Sequence, residues 1–279
     1  METNIKLRNR AIVELVENVK SNAFVPKDKL SVTADINGSK AVIPAYIPYI
    51  GAQYFATRPR ILCYAINQNL SKHRKWSESW ISNWAKDTEW AMDRLNRAAQ
   101  YGEALPIRPY AEGFIPLAAI VIWAAYRKGD LKELPDTIDS AIAVTNFVKF
   151  STTESASSTE IPQTWWNECA KRYVGREIQV LDPDIILAFG KKTATEVENT
   201  VQSLGLNTQP PRIVECRFPA RIPSSKARPL NSSERKVWQD RIEPLIGRLE
   251  KPKESFVSMR MDRFPGYFVD IAKAWQHAR

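Results

Sequence analysis

A chain of 279 residues, 44% hydrophobic and 25% charged, can bury a sizeable core, which excludes a disordered or low-complexity protein. Its 40 lysines and arginines against 31 acidic residues leave a formal charge of +9, which points to a polyanionic partner, nucleic acid ahead of an acidic membrane surface. Three separated cysteines, Cys63, Cys169 and Cys216, form no CxxC pair; this argues against a zinc site or a disulfide framework and fits a reducing cytoplasm.

The chain begins with "METNIKLRNRAIVELVENVK", an amphipathic helix with charges throughout and therefore no signal peptide. A proline-rich extended segment follows, with Pro44, Pro48 and Pro59, and leads into an apolar strand over Arg60 to Ala65. That strand ends on Asn67-Gln68-Asn69, which reads as a polar turn. From Lys75 to Tyr101 the pattern is helical, with Trp76, Trp80 and Trp84 on one face, the spacing of a buried helix face. The apolar run Phe114 to Tyr126 predicts a buried helix and is too short to span a bilayer, so no membrane partner is expected.

"SAIAVTNFVKF" (Ser140 to Phe150) reads as a buried strand ending at Asn146, and "STTESASS" as a loop. "PQTWWNECAKRYVGREIQVL" predicts a helix on which Trp165 and Trp166 cannot face the same side, so one of them should be exposed. "DIILAFG" predicts a strand, Lys191 opens another helix, and "RIVECRFPARI" predicts the last strand. A helix from about Ser233 to Leu249, capped by Ser232 or Ser233, leads to a basic tail and an aromatic helix. Strands alternating with helices predict a mostly parallel sheet covered on both faces, with ligands at the carboxyl ends of the strands. Three such ends carry unusual polar residues: Asn67 to Asn69, Asn146 to Lys149, and Pro223 to Arg228.

In this order, these strand ends resemble the uracil-DNA glycosylase superfamily. "ILCYAINQN" is similar to the first motif, G-I-N-P-G after an apolar strand in the mismatch-specific thymine/uracil branch; Ile66 and Asn67 match, whereas Ala65 and Gln68 replace the glycine and proline. "VTNFVKF" resembles the middle segment T-N-x-V-K, whose asparagine, here Asn146, pairs with the flipped base. "LDPDIILAFGKKTATEV" is similar to the family's strand-and-turn signature. "IPSSKAR" (Ile222 to Arg228) resembles the Pro-Ser loop that enters the minor groove, with Phe218 to Ala220 as an alternative register. Neither His73 nor His277 falls at the last motif, the first motif lacks the aspartate of the most active branch, and three cysteines cannot bind an iron–sulfur cluster that needs four.

The resemblance implies a three-layer α/β/α domain over residues 1–279, built on a central, mostly parallel four-stranded sheet, with a Trp-rich helical insertion over about 75–130. It implies a DNA glycosylase that flips a modified pyrimidine out of double-stranded DNA and hydrolyses its N-glycosidic bond, leaving an abasic site with no metal or cofactor. Asn67 would position the catalytic water, Asn146 would read the base, Ile66 would line the base pocket, and Tyr64 or Tyr54 would stack on the base. Pro223, Ser224 and Ser225 would wedge into the duplex while Lys72, Arg74, Lys75, Lys226 and Arg228 hold phosphates. Glu78, Asp87 and Glu112 are candidates for a missing catalytic carboxylate, with nothing in their spacing to select one.

The lost consensus residues and the insertion suggest a bulky substrate, such as the glucosylated hydroxymethylcytosine of some phages, and hence antiviral defence. Uracil or thymine mismatch repair is the alternative within the same chemistry, and a non-catalytic DNA-binding protein the alternative outside it. Asn67 also suits a turn cap, Asn146 a satisfied buried amide, and Cys63 and Cys169 core positions.

Overall fold

The computed structural model describes residues 3–22, 33–36, 39–42, 47–69, 115–127, 138–152, 161–205, 209–216, 230–242 and 265–277. The Trp76–Trp84 helix, the phosphate-holding candidates Lys72, Arg74 and Lys75, the carboxylates Glu78, Asp87 and Glu112, and the whole Pro-Ser loop from Pro223 through Ser224, Ser225 and Lys226 to Arg228 lie outside these residues.

Helix α1 (Asn4–Ser21) starts where the Thr3 side chain accepts the Lys6 N–H, and it buries Ala11, Ile12, Leu15 and Val16 along one stripe. A small antiparallel hairpin, β1 (Thr33–Ile36) and β2 (Ser39–Val42), stands apart from the main sheet. The main sheet contains β3 (Tyr49–Ile50), β4 (Ile61–Asn69), β5 (Ile142–Thr152), β6 (Ile185–Phe189) and β7 (Arg212–Cys216), in the order β3-β5-β4-β6-β7. The four longer strands are parallel to one another and β3 is antiparallel to β5. The fold is therefore α/β, as expected, but the sheet is five-stranded and mixed rather than four-stranded. The added edge is only two residues long, placed by the Gly51 N–H donating to the Ile142 carbonyl at 2.9 Å.

Strand alternation sorts the core into two layers. Leu62, Tyr64, Ile66, Ala143, Phe147, Ile186 and Ala188 face α1, α3 (Gln163–Cys169), α4 (Gly175–Leu181) and α5 (Lys191–Ser203). Ile61, Cys63, Ile142, Val144, Ile185, Leu187 and Val214 face α2 (Ile115–Tyr126) and α7 (Pro265–His277). Each large side chain so enclosed contributes roughly 1.5–3 kcal/mol. The strands read as continuous apolar runs because both faces are covered.

Helices α3 and α4 form one rod through a π-helical turn, Ala170–Val174. Both Trp165 and Trp166 are buried on it, against the expectation that one would be exposed, because the rod lies between the sheet and its neighbouring helices. Trp166 packs at a tilt on Phe147, with ring centres 5.2 Å apart, and the Lys192 ammonium lies over its ring, 4.9 Å from the centre. Helix α4 ends at Asp182, whose left-handed φ of 44° and the following Pro183 prevent continuation. Asp182 and Asp184 then tie down the start of β4: Asp184 accepts the Arg60 N–H at 2.7 Å and pairs with Arg58, and Asp182 pairs with Arg60 at 2.8 Å.

Helix α6 (Ser232–Val237) is capped by Asn231, not by Ser232 or Ser233. The Asn231 side chain accepts the Glu234 N–H at 2.9 Å and Glu234 accepts the Asn231 N–H at 3.2 Å, a reciprocal pair that neither serine's position allows. A π-helical turn (Trp238–Ile242) follows. Among the described residues no helix is long and apolar enough to cross a membrane.

Candidate functional site

The strand order fixes where a ligand site is expected. From β4 the chain passes along the α2 face to β5 on one side; from β6 it passes along the α5 face to β7 on the other. Connections leave β4 and β6 in opposite directions, which makes their carboxyl ends the place where a ligand crevice is expected in such sheets.

Asn67 lies there, but on a strand and not on a turn. Strand β4 continues to Asn69 because β5 continues beside it, with Ala65 opposite Asn146 and Asn67 opposite Val148. The two asparagines thus occupy neighbouring central strands, one alternation step apart in the ladder. Asn146 is only 2% exposed and is in phase with Ile142 and Val144 along β5. Ile66 borders the crevice from β4 and faces Gly190 at the end of β6.

Gly190 is required here by its backbone, since φ is +104° and ψ 142° at a position that side chains rarely adopt. An added Cβ would meet Ile66 at ordinary contact distances of 3.7 and 3.9 Å, so space is not the constraint. Its N–H donates to the Cys216 carbonyl at 2.7 Å and its carbonyl accepts the Ala194 N–H at 3.0 Å, opening α5. The first N–H groups of a helix have no intrahelical acceptor and carry partial positive charge. Lys191 is exposed at this end, the first turn contains no acidic residue, and the enclosed Thr193 hydroxyl has no hydrogen-bond partner. This corner suits an anionic group.

Tyr64 and Tyr54 do not reach it. Tyr64 is fully enclosed and donates its hydroxyl to Glu177 Oε2 at 3.0 Å, on the sheet face opposite the phase of Asn146. Tyr54 is also fully enclosed, edge-on to Phe55 at 5.2 Å. Neither ring has a face open to a base, which corrects the expected stacking role. Burial pushes both phenols well above their ordinary range.

Beneath the crevice lies a polar cluster that composition and motif order had not assembled. The Lys149 ammonium contacts Glu177 Oε1 at 2.5 Å and donates to Thr145 Oγ1 at 2.7 Å. The side chains of Lys149 and Glu177 are 0% and 3% exposed. Burial lowers the Lys149 pKa and raises that of Glu177, while their mutual attraction opposes both shifts. The sequence signal was available: a lysine inside the apolar strand "IAVTNFVKF" needs a buried carboxylate.

Elsewhere, a polar cleft of about 630 Å³ lies between α1, the π-helical turn and α5. Its Arg172 and Arg176 are paired with Glu168 and Glu14, and its lining includes neither Asn67 nor Asn146. Among the described residues no three His, Cys, Asp or Glu side chains converge as a metal site requires. No protein-family model, no curated protein and no solved structure matches this chain.

Proposed function

We propose that the chain is a DNA glycosylase that flips a modified pyrimidine out of the duplex and hydrolyses its N-glycosidic bond. The observation that carries this reading is the placement of Asn67 and Asn146 on adjacent parallel strands, in the same phase and two residues apart in the ladder. Flipping costs a few kcal/mol, which basic residues recover through phosphates; the net charge of +9 supplies them, and the α5 corner suits one phosphate. An amide offers one donor and one acceptor to a pyrimidine edge.

A hypermodified base, such as glucosylated hydroxymethylcytosine in phage DNA, is the substrate class we favour, and antiviral defence the setting. The support is the departure of Ala65 and Gln68 from the mismatch-branch motif, together with the absent histidine and aspartate. The test offers the purified protein duplexes containing normal bases, uracil, a G·T mismatch, hydroxymethylcytosine or its glucosylated form, and reads abasic sites by alkaline cleavage. Cleavage of glucosylated DNA alone, lost in Asn67→Ala, is the expected result. Cleavage of uracil or mismatched thymine would make the protein a repair enzyme. Binding to DNA with no abasic product on any substrate would refute the glycosylase.

A further inference from the structure

The ladder between β5 and β4 loses its regular register just past the site. Asn67 pairs with Val148, yet Asn69 pairs with Thr152, so β5 carries surplus residues beginning at Lys149. At that residue the contacts turn to the helical layer. The Lys149 N–H donates to Cys169 Sγ on α3 at 3.4 Å, and its ammonium contacts Glu177 on α4 at 2.5 Å. The second Glu177 oxygen accepts the Tyr64 hydroxyl from β4, and the ammonium reaches back to Thr145, next to Asn146. One ion pair therefore links β5, at the start of its bulge, to β4 and to the helical rod.

We propose that the Lys149–Glu177 ion pair is the positioning element of the site, pinning the β5 bulge and thereby setting Asn146 against β4. Neither side chain reaches the crevice, so both act through Asn146 and not on a substrate. Stability is a poor reason for such a pair, because a buried ion pair can commonly be replaced by apolar residues at no cost. Register is a better one. A slip of one residue would send Asn146 to the opposite face of the sheet, and the bulge is where a slip would begin. The proposal rests on the glycosylase reading only in assigning Asn146 the task of reading a base.

The test is the double substitution Lys149→Met with Glu177→Leu, which removes both charges and keeps volume. Hydrogen exchange is followed over peptides spanning β5, together with the thermal midpoint, DNA affinity and single-turnover excision. The variant is expected to unfold cooperatively near the wild-type temperature, with exchange at the carboxyl end of β5 faster by about tenfold or more. Excision should fall by about 10²-fold while DNA affinity stays within about twofold, since misplacement near 1 Å costs that much in rate. Unchanged exchange on β5 would overturn the proposal, whatever the activity. If the wild-type protein excises nothing, exchange alone decides the pinning, and only the role of Asn146 falls with the glycosylase reading. Should the double variant not fold, Glu177→Asp, which draws the carboxylate back by one methylene, is read the same way.

Discussion

Removing one member of the buried pair should harm the protein in a pH-dependent way, with opposite signs for the two members. Lys149→Met leaves the Glu177 carboxyl enclosed, with the Tyr64 hydroxyl as its remaining partner among the described residues. Breaking a buried pair on one side costs about 3–5 kcal/mol near neutrality, equivalent to roughly 6–20 °C in thermal midpoint for a domain of this size class. Burial already holds the Glu177 pKa above its ordinary value against the pull of Lys149, so deleting the lysine raises it further.

A carboxyl raised in the folded state contributes its full share below the unfolded pKa of about 4.3. That share is lost as pH rises towards the folded pKa, by up to about 1.4 kcal/mol per pH unit. The variant should therefore lie closest to wild type near pH 4 and fall behind towards pH 7. Glu177→Gln leaves Lys149 enclosed with a lowered pKa, so its deficit should shrink towards alkaline pH and grow as pH falls. The other groups facing the pair do not titrate in this window: burial pushes Cys169 up to about 12 and Tyr64 well above its usual range. Urea titrations of both variants from pH 4 to 9, subtracted from wild type, measure the two slopes. Equal, pH-independent losses, or losses under about 1 kcal/mol, would mean that water reaches the pair and would refute its burial.

Asn231→Ala removes the reciprocal cap of α6 and should cost about 1 kcal/mol in chemical denaturation, whereas Ser232→Ala should cost much less. Gly190→Ala should cost about 1–3 kcal/mol through backbone strain alone, since its Cβ has room; a far larger loss would point to a clash. The thiols of Cys63, Cys169 and Cys216 are all buried, and burial raises each pKa. A maleimide at pH 7.5 should label none of them in the native protein and all of them in denaturant, as counted by intact mass.

The central strands were legible because a sheet covered on both faces leaves unbroken apolar runs, such as Ile61 to Tyr64 and Ile185 to Phe189. What failed failed for reasons of context. Asn67 to Asn69 suit a turn in isolation, but the partner strand extends to Thr152 and carries the ladder with it. The two-residue β3 has no periodicity to read, and it changes the strand count. A pair of adjacent tryptophans on a lone amphipathic helix must split between core and solvent; on a helix enclosed by a sheet and other helices both can be buried. Tyr64 was placed at the site by its distance in sequence from Asn67. Strand alternation sends it to the other layer, where the hydroxyl is engaged by a glutamate that no local pattern could pair with it.

That misplacement is informative about how the site is built. The support one layer below the strand ends is polar. An apolar floor would pack as densely, but it would tolerate a shifted strand, because leucines and valines are interchangeable against a neighbour's side chains. Lys149, Glu177, Tyr64 and Thr145 are not interchangeable in that sense. Each contact has a required partner at hydrogen-bond distance, and a shifted β5 would leave an enclosed charge unmatched. Specificity of the strand's register is thus enforced by the penalty for every alternative, and the bulge that could absorb a slip is the point at which that penalty applies.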